Sequence, residues 1–127
     1  MAVAQLRLGL SEAEVRGLLG SPSSKSQPQT DEAMGGTRWT LVYPDITVEF
    51  TESRGATRIG CMGPACVTPD SVRIGVSRQR VKRVYGPGRY DSVGETLTYF
   101  ARGSDCALTF VFFSDTVGTI KLACDDT

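Results

Sequence analysis

The chain contains no histidine. The commonest general base is therefore missing, and Ser-His-Asp and Cys-His nucleophilic schemes are excluded within it. It also has no excess charge of either sign, because fourteen basic residues balance fourteen acidic ones over 127 residues. That balance gives no support to a nucleic-acid or anionic-membrane surface. No apolar run approaches the roughly 18 residues of a transmembrane helix. Met1-Ala2-Val3-Ala4 leads directly into the first motif, without the charged start and apolar stretch of a signal peptide. No strand-loop-helix frame surrounds a Gly-rich phosphate loop, and Gly86-Pro87-Gly88 reads as a helix stop. No motif groups Asp45, Glu49, Asp105 and Asp115. The expectation is a non-enzymatic protein with no metal and no cofactor.

What the chain does contain is a repeat. Leu8-Gly9-Leu10-Ser11 is followed by Val15 and closes on Gly20. Ile74-Gly75-Val76-Ser77 is followed by Val81 and closes on Gly86. Ser11 with Glu14 is a capping box, which starts a helix near Glu12. Val15, Leu18 and Leu19 then lie at helical spacing, and Gly20 and Pro22 end the helix. In the second copy Ser77 keeps the cap position, but Arg80 replaces the reciprocal Glu. Arg78, Arg80, Lys82 and Arg83 make that helix basic. It reads either as a solvated face or as a docking surface for an acidic partner.

Alternating residues predict three strands after each helix. The first set is 37–43, 46–51 and 56–61; the second is 93–102, 106–113 and 116–124. The polar stretch 21–36 reads as an inserted loop. Trp39 reads as a core anchor. The fold class expected is α+β: two tandem helix-plus-three-stranded-antiparallel-meander repeats, 1–66 and 67–127, forming one continuous sheet and one compact domain. Helices pack on one face of that sheet.

Cys61 and Cys66 flank Gly63-Pro64, a reversal able to bring their sulfurs together. Their C-x₄-C spacing is not the C-x-x-C of a redox site, and no histidine is present to complete a zinc site. Cys106 and Cys124 are equidistant from Asp115, taken as the centre of the last turn, and share strand parity with Leu108 and Leu122. Regular pairing sets them opposite one another. The expected disulfides are Cys61–Cys66 and Cys106–Cys124, the second closing a loop of roughly 20 residues that contributes about 3 kcal/mol. Paired cysteines belong to oxidising compartments. The protein is therefore expected to be periplasmic, outer-membrane-associated or secreted, its export signal absent from this chain.

The opposite sheet face of the second half carries Phe100, Val111 and Phe113, where the first half has Thr47, Glu49 and Thr51. Either a second layer covers them or they form an exposed patch for a partner. Tyr85 and Tyr90 complete the candidate protein-binding set with those three.

The Gly-apolar-Ser start, the Val, the closing Gly-x-Pro, the Trp39-Thr40-Leu41-Val42-Tyr43 strand and Val48-Glu49-Phe50 resemble the SmpA/OmlA (BamE-like) family. Leu97-Thr98-Tyr99 matches in the second copy. Two such units in tandem are also similar in layout to the β-lactamase inhibitory protein family. The resemblance implies helices on an antiparallel sheet, an extracytoplasmic location and a protein partner, either an envelope protein or a hydrolase. An envelope scaffold and a secreted enzyme inhibitor are the two functions it leaves open. A homodimer through the apolar face is a third arrangement.

Overall fold

The computed structural model describes residues 1–31, 36–101 and 105–124. It contains helices α1 (Glu12–Leu19) and α2 (Arg78–Tyr85). Its strands are β1 (Ser24–Lys25), β2 (Gln29–Asp31), β3 (Gly36–Val42), β4 (Ile46–Thr51), β5 (Gly55–Cys61), β6 (Arg89–Asp91), β7 (Thr96–Phe100), β8 (Cys106–Phe113) and β9 (Thr116–Cys124). All nine form one antiparallel sheet in the order β1-β3-β4-β5-β9-β8-β7-β6, with β2 also paired to β3. The protein is thus α+β and mostly sheet.

Local chemistry sets both helices. At α1 the Ser11 hydroxyl accepts from Glu14 N–H (3.1 Å), and the Glu14 carboxylate accepts from Ser11 N–H (3.0 Å). At α2 only the first half of that exchange survives, from Arg80 N–H to the Ser77 hydroxyl (3.1 Å). Gly20 and Gly86 close the helices at φ 83° and 92°, a region that favours glycine. Each closing carbonyl receives a phenol: Tyr43 donates to Gly20 O and Tyr99 to Gly86 O, both at 2.9 Å. Val15 and Val81 enter the core from their helices, on the face that also carries Leu41, Val48, Phe50, Ile59, Leu97, Phe110, Ile120 and Leu122.

The arrangement differs from the expected pair of three-stranded meanders. The 21–36 stretch is not simply a loop, because β1 and β2 both pair with the outer edge of β3. β6 adds a further edge strand on β7, directly after the Gly86-Pro87-Gly88 segment that reads as a helix stop. Strand β7 begins at Thr96 and not Val93, because Asp91 accepts from Val93 N–H (2.9 Å) and turns the chain there. These edges are specified by a neighbour's free backbone groups and not by their own alternation.

The centre of the sheet is the β5–β9 pairing. Ile59 faces Leu122 and Cys61 faces Ile120, and all four are fully buried. One buried cluster extends from Val3 and Leu6 to Leu122, so both halves of the chain contribute to the same core.

The disulfides are Cys61–Cys66 and Cys106–Cys124. The second depends on a feature absent from a regular hairpin. Ser114 and Asp115 both have positive φ (52° and 66°), the pattern of a two-residue hairpin turn, and Phe113 pairs with Thr116. Continued without interruption, that register would set Cys106 opposite Ala123. A shift between Val111 and Phe112 adds one residue on β9 and brings Cys106 opposite Cys124. Gly118 lies at this bulge, and a Cβ there would run into the Phe113 ring.

Candidate functional site

Both helices lie on one face of the sheet, and among the described residues no helix lies over the other face. Strand registers define its rows. One runs Thr40, Glu49, Arg58, Ala123, Ala107, Phe100. It passes from polar and charged at β3 to apolar at β7. The next rows add Lys121, Thr109 and Thr98, then Thr119, Val111 and Thr96. Phe113 lies beyond, its ring over Gly118. Glycine there admits the ring onto the sheet surface, while the flanking threonines keep strand geometry without adding bulk.

The exposures decide between the two readings of this face. Phe100 is 57% exposed and Phe113 is 62% exposed, while Val111 is half-buried between threonines. No second layer covers them among the described residues. Three of the five candidate binding residues, Phe100, Val111 and Phe113, are therefore brought to one face.

Tyr85 and Tyr90 are not on it. Tyr85 points into the helix side of the sheet, 5.3 Å from the Tyr99 ring and 5.5 Å from that of Phe110. Its hydroxyl donates to Thr68 Oγ1 (2.7 Å), and burial raises its pKa to about 12. Tyr90 lies at the rim of the helix side, 46% exposed, with the Arg78 guanidinium 5.0 Å from its ring centre. Arg78 also stacks on Phe112 (5.1 Å) and pairs with Asp115 (2.9 Å). That stack escaped the sequence because it joins α2, β6 and the β8–β9 turn, and no spacing connects them.

A second polar assembly surrounds Trp39, which is half-buried and stacked on Phe50 at 5.6 Å. Its indole N–H donates to Glu12 (2.7 Å), which also receives Arg16 (2.8 Å) and Lys25 (3.1 Å). Burial pushes the Glu12 pKa up, but these donors outweigh it and hold the carboxyl below its ordinary value. Beside this assembly, where β1 and β2 share β3, lies a depression of 270 Å³ lined in part by Ser26, Gln27, Arg38, Trp39 and Glu49. Its one carboxylate, Glu49, is 3.6 Å from Arg38. The lining thus offers no pair of acids for general acid–base chemistry. Among the described residues no helix is long and apolar enough to cross a membrane.

Among the described residues the architecture is a single antiparallel sheet with helices on one side and an uncovered, partly apolar face on the other. No protein-family model matches the sequence, and no curated protein matches it. A solved structure does share the fold. It is an extracellular protein containing an SCP domain, from Bacillus anthracis str. Ames, at 15% identity and a TM-score of 0.70. The match covers 94% of this chain and 44% of that one, so this chain spans less than half the length of its structural neighbour.

These findings overturn the resemblance to a tandem SmpA/OmlA (BamE-like) chain, and with it the likeness in layout to the β-lactamase inhibitory protein family. The fold is shared with an SCP-domain-containing protein, and the two helices serve a nine-stranded sheet with extra edge strands. The reason lies in the motif residues. The Ser cap, the positive-φ Gly9 and Gly75, the closing Gly20 and Gly86 and the strand aromatics encode a capped helix leading into a sheet. Such residues specify local geometry and do not distinguish one family using it from another.

Proposed function

We propose that this chain is a non-enzymatic, extracellular protein-binding module. It engages a partner protein through the open sheet face around Phe100, Val111 and Phe113. The observation that carries this reading is the exposure of two phenylalanines on an uncovered face. Covering the exposed part of each ring would contribute on the order of 1–2 kcal/mol, a favourable term for docking at this face. The two disulfides and the extracellular neighbour support an oxidising, extracellular setting.

The test replaces both rings. In Phe100→Ser/Phe113→Ser, each site should cost at most about 1 kcal/mol of stability, because both side chains are exposed. The variant should lose binding of an apolar dye and of the partner protein. Loss of several kcal/mol instead would mean that the rings are buried. Concentration-dependent dimers of the wild type, absent in the variant, would make a second copy the occupant. Inhibition of a purified hydrolase would make an enzyme the partner.

A further inference from the structure

Helix α2 breaks a rule that α1 keeps. The first turn of a helix carries partial positive charge and favours acids. At α1 that turn holds Glu12 and Glu14. At α2 it holds no acid, and Arg78 and Arg80 occupy it, with Lys82 and Arg83 following. Arg78 and Lys82 are also like charges one turn apart, which repel. Among the described residues Arg78 pairs with Asp115, whereas Arg80, Lys82 and Arg83 pair with no carboxylate and are exposed. Lys82 and Arg83 lie in the last turn, where cations suit the helix dipole, but Arg80 sits beside Arg78 in a first turn without an acid, a local cost of the kind expected at a functional surface.

We infer that the outer face of α2, with the Tyr90 rim beside it, docks an acidic polypeptide segment. Charge complementarity selects the sign of the partner. The geometry selects its class: eight residues of helix span only about 12 Å, the length of a few extended residues. A chain with no net charge does not present the broad positive field that favours polyanions or anionic membranes. Arg78, paired with Asp115 and stacked on Tyr90 and Phe112, fixes the start of this face in place, and the cations left for a partner are Arg80, Lys82 and Arg83. The half-exposed Tyr90 ring provides an apolar contact beside it, as protein interfaces use and phosphate-binding surfaces do not require. This surface is on the helix side, opposite Phe100 and Phe113, so it stands independently of the proposed sheet-face interaction.

The test titrates a fluorescent peptide of alternating Glu and Leu into the full chain and follows its anisotropy. Saturable binding is expected, weakening with salt and falling about 10-fold or more in Arg80→Glu/Lys82→Glu/Arg83→Glu. Phe100→Ser/Phe113→Ser should leave it unchanged. The milder Arg80→Gln/Lys82→Gln/Arg83→Gln should fall between, and it replaces the reversal if that variant fails to fold. Absent saturation, or equal affinity in the charge variants, overturns the inference. Tighter binding of phosphatidylglycerol vesicles or of heparin than of the peptide overturns it in favour of a polyanion. Self-association lost in the reversal variant overturns it in favour of a second copy.

Discussion

Glu12 shows how one carboxylate can tie three elements together. It takes hydrogen bonds from Arg16 on its own helix, Lys25 on β1 and Trp39 on β3. Glu12→Gln keeps the shape and removes the charge. It should cost about 1 kcal/mol in a denaturant melt, the low end for charge-assisted bonds because the site is partly solvated. The folded pKa of Glu12 lies below its ordinary 4.5. Its contribution is therefore present above pH 4.5 and is lost as pH falls through the folded value. Tyr85 has the opposite sign: burial holds its phenol at about 12 against an ordinary 10.0. The unfolded chain releases that proton first, so stability should be flat up to pH 10 and fall between 10 and about 12. Burial also raises Tyr43 and Tyr99. A spectrophotometric titration should show phenols ionising above the ordinary 10.0, with Tyr85 at about 12. An absorbance change with no component above the ordinary value would contradict this packing.

The two helices carry their instructions in adjacent residues, which is why both were legible. Cap, periodic face and closing glycine lie within one short stretch. Ser11→Ala removes a reciprocal cap and should cost about 1 kcal/mol, while Ser77→Ala removes half of one and should cost less. Arg80→Glu restores the acid three residues after Ser77. It should stabilise the chain by about 0.5 kcal/mol while weakening acidic-peptide binding, because the same residue serves the two ends differently. Strands β4, β8 and β9 were legible from alternation, since each has one buried face. Strands β1, β2 and β6 were not. They are two or three residues long and lie in stretches of Ser, Gln, Pro, Gly and Asp, and what makes them strands is the edge they pair with. The bulge at Gly118 was equally hidden. The Cys106–Cys124 pairing follows from spacing about Asp115, but the true turn is centred half a residue earlier and the bulge supplies the difference. The two disulfides should also open in order. Cys61 and Cys66 are fully buried, whereas Cys106 and Cys124 are partly exposed. Limited reduction followed by alkylation and mass spectrometry should label Cys106 and Cys124 first.

At the scale of the molecule, the sheet divides the protein into two surfaces of different character. One side carries the helices, the Arg78 stack and the cations of α2. The other is bare, grading from Thr40, Glu49 and Arg58 to Ala107, Phe100 and Phe113. The sequence contained the alternation that separates these faces, so Phe100, Val111 and Phe113 could be grouped from it. It did not reveal that Tyr85 turns inward, because its neighbours Thr68, Tyr99 and Phe110 come from separate elements. The central claim is that the bare apolar face meets a partner protein. The most direct measurement is photo-crosslinking from a photoreactive phenylalanine analogue placed at Phe113, compared with the same group at Leu18, which is 47% exposed on the helix side. Incubated with the extracellular proteins of the cells that make it, the Phe113 position should crosslink to a distinct protein that Leu18 does not reach, and Phe100→Ser should weaken the product. The same products from both positions, or none from Phe113, would contradict the claim.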